Sequence, residues 1–354
     1  AVNEFMIPVD AYGGASPGEK TTFTATIPLS DAPYGSLAQF GVSQIDAIRL
    51  SMQLSFSSSS LFAQWYTEQY EIRTNIPVSV PAYEPPQTRM LLNENGFTVA
   101  LVGTPYEEEG YYVITLKISN NSEKHDLIQL MQSTVNGIMA PQDILTSSLT
   151  HENVLPGTQM LTQVRIPMYH TDLPPELAEY QYMFDGLSSL EAIGVSDIRE
   201  IMLRFHIDQA ALVGEQGRLN VRKMLSPLHI TLDGMENVEQ TLDAQGETLF
   251  EKDGVLVVRL LSPTMSRDFY VRNDTDKTLH LTSMGDIRVD GVDYADNVPL
   301  DVTVSPRSSA YSTLFGFLPG IEPKGDIVTF YINVTDEDSN ELIMQSDKIT
   351  FPLQ

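Results

Sequence analysis

The chain repeats itself, and the repeat limits the fold more than any local signal does, because each copy is one architectural unit. Residues 120–124 read Asn-Asn-Ser-Glu-Lys and residues 273–277 read Asn-Asp-Thr-Asp-Lys. Before the first run, Tyr112, Ile114, Leu116 and Ile118 alternate with Val113, Thr115 and Lys117. That period of two puts one side of a strand in a core. Phe269 to Val271 precede the second run. Short polar side chains bond their own backbone and tolerate left-handed dihedrals, so both runs read as turns. A second apolar run, Leu127 to Val135, breaks at Asn136-Gly137, a strong hairpin signal. Val289-Asp290-Gly291-Val292 answers Val135-Asn136-Gly137-Ile138. Upstream, Asn95-Gly96 opens Phe97 to Val102 as Asp253-Gly254 opens Val255 to Leu260. Downstream, Pro156-Gly157 leads into Met160 to Ile166, and Ser305-Pro306 into Tyr311 to Phe317.

The N-terminus carries a third, partial copy. Residues 1–10 superpose on residues 134–143, matching at Val2, Asn3, Met6, Pro8 and Asp10. Pro17-Gly18 matches Pro156-Gly157, and Gly41 to Ile45 matches Gly194 to Ile198. Ile48, Leu50, Met52 and Leu54 then fall on Ile201, Leu203, Phe205 and Ile207. Three modules follow: 1–82, incomplete and holding the C-terminal half; 83–234; and 242–354. The strands equivalent to 97–102 and 112–118 have no counterpart before Ala1. The half-module is therefore expected to pack on its neighbour, to self-associate through exposed strand edges, or to belong to a chain that continues upstream.

Short alternating strands separated by turn residues predict an all-β chain of tandem antiparallel β-sandwich modules. The stripe Ile201, Leu203, Phe205, Ile207 should be buried, with Arg204 and His206 on the opposite face. Few short helices are expected, at Pro174–Glu179, where proline suits a first turn, and at Leu187–Ile193. Asn-Asn-Ser-Glu-Lys after an apolar strand, Val-Asn-Gly with a following Pro, and Gly-Val-Ser-Asp-Ile-Arg-Glu-Ile resemble immunoglobulin-like repeats of uncharacterised surface-exposed and secreted proteins of Gram-positive gut bacteria. Residues 89–232 carry the resemblance best, 1–82 match its second half, and 246–353 match more loosely. It implies an immunoglobulin-like fold and an extracellular or cell-surface location, and it carries no catalytic residues across.

Composition narrows the function classes. Against 47 acidic residues stand 21 basic ones, a formal charge of −26, which repels nucleic acid and anionic membrane surfaces. No stretch approaches the ~20 apolar residues of a membrane-spanning helix, so no membrane insertion is expected. The chain has no cysteine, which removes disulfides, thiolate metal sites and cysteine nucleophiles. Residues 1–10 lack the features of a signal peptide.

The histidines, His125, His151, His170, His206, His229 and His280, form no zinc-type pair, and His206 is expected to point outward or bond a neighbour. There is no Gly-x-Ser-x-Gly elbow, phosphate loop or dinucleotide fingerprint. Asp336–Glu341 and the trio Asp290, Asp293, Asp296 lack the glycine and spacing of an EF-hand and read as solvated turns. Trp65, Tyr66 and Tyr70, and likewise Tyr106, Tyr111 and Tyr112, read as core or as platforms for sugars or a partner. Lys324-Gly325-Asp326 resembles an adhesion tripeptide at near-chance level. The expectation is a non-enzymatic protein with no catalytic, cofactor or metal residues. It acts as a spacer or as an adhesion surface for a protein or glycan partner, the alternative being a carbohydrate- or calcium-dependent binding module. A hydrolase with acids brought together from distant strands is the third class.

Overall fold

In a computed structural model the chain is described over residues 87–123, 127–140, 152–169, 189–213, 217–233, 244–264, 267–284, 300–312 and 327–352. Shorter described stretches are 4–6, 19–20, 44–50, 53–57, 62–66, 70–74, 288–289 and 292–293, with single positions at 22, 24, 25, 27, 37, 40, 42, 240 and 242. The fold is nearly all β, in several antiparallel sheets.

Residues 47–73 contribute β1 (Ala47–Leu50), β2 (Gln53–Ser57), β3 (Phe62–Tyr66) and β4 (Tyr70–Arg73). Then come β5 (Thr88–Glu94), β6 (Phe97–Val102), β7 (Tyr106–Glu108) and β8 (Tyr111–Asn120). They are followed by β9 (Leu127–Val135), β10 (Ile138–Met139), β11 (Glu152–Asn153) and β12 (Thr158–Pro167). The middle of the chain closes with β13 (Glu200–Val213), β14 (Gly217–Met224) and β15 (Leu228–Thr231). The last part holds β16 (Gly246–Lys252), β17 (Val255–Thr264), β18 (Arg267–Asn273), β19 (Leu279–Met284), β20 (Arg288–Val289) and β21 (Val292–Asp293). It ends with β22 (Asp301–Val304), β23 (Ser308–Ser312), β24 (Ile327–Asp336), β25 (Glu341–Gln345) and β26 (Ile349–Pro352).

The repeat in sequence is a repeat in pairing. One sheet runs β12-β8-β6-β5 with β7 also on β8, and the row β23-β18-β17-β16 reproduces its order. Each row opens on a two-residue hairpin, Asn95-Gly96 with φ of 53° and 82°, and Asp253-Gly254 with φ of 46° and 86°. Both residues in the left-handed region mark a type I′ turn, which suits the strand twist. Glycine is needed at the second position, since a Cβ on Gly96 would sit 2.8 Å from the Cβ of Ser122. A bulge recurs too, between Met90 and Leu92 and between Thr248 and Phe250. The facing sheets correspond as well. β9 lies between β11 and β13, with β14 and β15 on β13; β19 lies between β22 and β24, with β25 and β26 on β24.

Each polar turn is locked by a buried asparagine. Asn120 Oδ1 accepts from the N–H (2.9 Å) and Oγ (2.7 Å) of Ser122, while its Nδ2 donates to the Val154 carbonyl at 2.7 Å. Asn273 Oδ1 accepts from the N–H and Oγ1 of Thr275 at the same two distances, and its Nδ2 reaches the Val304 carbonyl at 3.0 Å. Both runs are turns held by side-chain-to-backbone bonds, as the polar residues predict, and their first residues are wholly buried.

Two large cores result. The larger contains Ile114, Leu116, Ile118, Ile201, Leu203, Phe205 and Ile207, so the expected stripe is buried. The smaller contains Val257, Phe269, Leu281, Phe330, Ile332 and Val334. A third cluster holds Phe5, Leu37 and Phe40. The N-terminal stretches repeat bonds of the middle of the chain: Val42 N–H donates to the Leu37 carbonyl at 3.0 Å as Val195 N–H donates to Leu190 at 2.8 Å. β1 pairs with β4 as β13 pairs with β15.

The expected helix at Leu187–Ile193 is not formed over its described part. Residues 189–194 make one turn, closed by Gly194 at φ 79°, because Val195 bonds back to Leu190 and pulls the chain into the core. Pro174–Glu179 lies outside the described residues.

Two substitutions test this account. Phe205→Ala should lower unfolding free energy by about 3–5 kcal/mol in chemical denaturation. Asn273→Ala should cost about 1–3 kcal/mol, because the buried carbonyls it serves lose their donor.

Candidate functional site

The most built-up feature is the seam joining the two halves of the repeat. The sheet of β9, β11, β13, β14 and β15 does not end at its edge. β10 adds to β23 in parallel, Ile138 opposite Ser309, so a single ten-stranded sheet runs through both halves. Its key bond is the Ser309 N–H donating to the Gly137 carbonyl at 2.8 Å.

Local chemistry presents that strand. Asn136 and Gly137, at φ 52° and 78°, turn β9 back on itself as β10. The turn is tied from behind: Asn136 Oδ1 accepts the Arg199 N–H at 2.8 Å, and its Nδ2 donates to the Asp197 carbonyl at 2.6 Å. Ile138 then enters the larger core while Met139, its neighbour on the strand, enters the smaller. From the receiving side, Val258, Leu260, Tyr270 and Tyr311 pack against the larger core. The Tyr270 hydroxyl is bonded to Ser309 Oγ at 2.8 Å.

The rest of the seam is polar. Ser305 Oγ donates to Gln132 Oε1 at 2.8 Å, and Ser305 N–H approaches Met139 Sδ at 3.4 Å. Arg204 bonds Thr278 and meets Asp338 at 3.0 Å. Buried Gln132 Nε2, Ser133 Oγ and both ring nitrogens of His206 have no hydrogen-bond partner among the described residues.

His206 corrects an expectation. It stands opposite the core stripe, as the alternation requires, yet it is 1% exposed rather than outward-facing. Its Nε2 lies 3.3 Å from Asp208 Oδ2, close enough for attraction but out of line for a hydrogen bond. The acidic turn is a second correction. Asp336 is buried and bound to Lys277 Nζ at 2.8 Å, which holds its carboxyl below the usual range. The correction is confined to Asp336; Asp338, Ser339, Asn340 and Glu341 are exposed as expected, with Asp338 also meeting Arg204.

The other candidates disperse. His229 is exposed on β15, and His280 Nε2 pairs with Asp301 at 2.7 Å; His125, His151 and His170 lie outside the described residues. Among the described residues, no three His, Asp or Glu side chains are placed to hold a metal. Asp293 lies in β21, whereas Asp290, Asp296 and Lys324-Gly325-Asp326 lie outside the description. Of the aromatics, Trp65 and Tyr66 lie in β3, and Tyr70 is exposed. Tyr112 joins the core, where burial pushes its phenol up to about 12. Tyr106 and Tyr111 face outward around Arg165, whose guanidinium lies 4.8 Å over the Tyr111 ring and 3.5 Å from Glu108. A polar groove of about 440 Å³ lies between residues 247–252 and 345–350, with Glu247, Glu251, Lys252, Asp347 and Lys348 among its lining residues.

Sequence reasoning matched Met6 to Met139 without giving either a role. The signal was there: a methionine repeated two residues beyond a hairpin turn.

Burial disfavours the imidazolium of His206 and holds its pKa below the ordinary value, with the Asp208 charge opposing. The unfolded chain then binds a proton near pH ~6.5 that the folded chain refuses. This contribution to stability is complete above about pH 6.5 and declines as pH falls through the window beneath it. Unfolding midpoints at about pH 7.5 and 5.5 should differ less in His206→Leu than in the unsubstituted protein.

No known protein family matches the chain, and no curated protein sequence does. A solved structure of the YadV chaperone is similar at 12% identity, covering 68% of this chain and 92% of that one, with a TM-score of 0.19.

Proposed function

We propose that this is a non-enzymatic, extracytoplasmic bacterial protein of tandem immunoglobulin-like β-sandwich modules, 1–82, 83–234 and 242–354, that works as a stiff spacer or interaction surface. One observation carries the reading: successive units share a sheet instead of meeting across a linker. A shared sheet with side chains from both units in each core resists bending, which suits holding something at a distance. Flexible linkers serve the opposite need. The acidic surface and the absence of cysteine agree with a secreted bacterial setting. The resemblance to surface repeats of gut bacteria supports the same location.

A second reading rests on Tyr106 and Tyr111 flanking Arg165. Outward rings beside a charged fork suit stacking on a sugar ring, with Gln163 Nε2 3.3 Å from the Tyr106 hydroxyl as a further polar group. It would make the same array a glycan-binding module.

The test uses the absence of native cysteine. Spin labels at Arg89→Cys and Leu342→Cys report on units two and three, both sites being exposed. A narrow distance distribution, unchanged by millimolar calcium or chelator, is expected. A broad one overturns the spacer reading. Saturable binding on a glycan array, lost in Tyr111→Ala, would move the assignment to the second reading.

A further inference from the structure

The N-terminal stretches repeat a strand pair of the middle unit and leave its inner face bare. β1 and β4 pair Ile48 with Ile72 and Leu50 with Tyr70, in the register that pairs Ile201 with Ile230 and Leu203 with Leu228. The next bond repeats too: Thr74 N–H donates to the Asp46 carbonyl at 2.8 Å, as Leu232 N–H donates to the Arg199 carbonyl at 2.9 Å. In the middle unit all four positions are buried, in a core shared with Val99 and Leu101 of β6 and Ile114, Leu116 and Ile118 of β8. On β1 and β4 they are open. Leu50 is 41% exposed, Tyr70 55% and Ile72 52%, with Ile48 half-buried.

The opposite face of the same ribbon is closed by charge. Arg49 Nε meets Glu71 at 3.2 Å, Arg73 Nε meets Glu71 at 2.6 Å, and Arg73 also reaches Asp46 at 3.8 Å. Hydrogen bonds from Arg49 above all, and from Arg73, hold the Glu71 carboxyl below its usual range. One charged, internally paired face and one apolar face make the pattern of an antiparallel pair that is covered on one side. The cluster of Phe5, Leu37 and Phe40 is not that cover, since none of the four side chains belongs to it. Phe5 instead ties these stretches to the middle unit by lying parallel to Gln159 of β12, the step that Ile138 makes on Ser309.

We propose that Ile48, Leu50, Tyr70 and Ile72 form a docking face for a partner protein that brings paired antiparallel strands with alternating apolar residues, the pattern of β6 and β8. This deepens the interaction-surface part of the function proposed above and rests on it. The middle unit shows the occupant in kind, because the same four positions there lie against a facing sheet, as in a sandwich. Paired strands lie about 4.8 Å apart, so a cover of the same width takes two strands or more. A second copy of this chain is a poor source. Its β6 and β8 already share a core with β13 and β15, and could leave only by opening it. Apolar side chains gathered on one exposed face and rimmed by charge mark an interaction site.

The probe is a synthetic peptide of residues 95–121, which carries β6, β7 and β8, added to the full chain. Calorimetry should show saturable binding, and hydrogen exchange should slow at the amides of 47–50 and 70–73. Leu50→Glu combined with Ile72→Glu should weaken binding by about tenfold or more, as the loss of two buried apolar contacts does. Glu71→Gln, on the opposite face, should leave it unchanged. Protection over β6 and β8 equal to that of the unsubstituted chain shows that a variant is folded; if the double variant loses it, Tyr70→Lys is read in its place. No binding, binding that survives the changes at this face, or protection gained at 200–203 and 228–231 instead would each overturn the proposal. Concentration-dependent association of the chain alone, lost in the double variant, would make the occupant a second copy and overturn it as well. A broad distance distribution between the labels at positions 89 and 342 would instead overturn the rigid spacer, leaving the peptide series to be judged separately.

Discussion

A strand of two residues, Ile138–Met139, holds the described halves of this protein in one relationship. Alone it offers few hydrogen bonds, and a pair of residues that short has no stability in water. It works because each of its side chains is committed to a different core. Sliding the strand by one residue would exchange the two, since side chains alternate between faces, and would send each into the wrong unit. The register of the whole seam therefore follows from the alternation of β10.

Around that strand the seam is specified by polar contacts as well as by apolar packing. Ser305 with Gln132 and Arg204 with Asp338 fix which atoms face each other. Buried Gln132 Nε2 and Ser133 Oγ, which have no hydrogen-bond partner among the described residues, cost stability there. An apolar seam of the same shape would be tighter and less selective. Buried polar groups that restrict pairing to one arrangement are a recognised use of such cost.

The legible part of the molecule is the part decided within a few residues. Asn95-Gly96 and Asp253-Gly254 announced their turns because both positions require left-handed backbone, which few residue pairs supply. The stripe from Ile201 to Ile207 announced its buried face through its period. Alternation puts Arg204 and His206 on the other side of β13, but it cannot say that Thr278 and Asp338 meet Arg204 there or that His206 is buried. Periodicity separates two faces of a strand and is silent on what lies against each. The same limit hid the seam. Met139 reads as one more core residue, and nothing local distinguishes its own core from that of the next unit. Asp336 in the acidic turn likewise reads as solvated because its partner Lys277 is remote in sequence.

The same strand-to-strand step, Phe5 onto Gln159 and then Ile138 onto Ser309, relates each unit to its successor. Neighbouring strands in a sheet are rotated by roughly −20° to −25°, always in one sense. A junction made within a sheet inherits that rotation, and a junction made twice inherits it twice. Repeating one operation of this kind generates a screw. Units joined only in this way would turn steadily about one axis rather than lie in line.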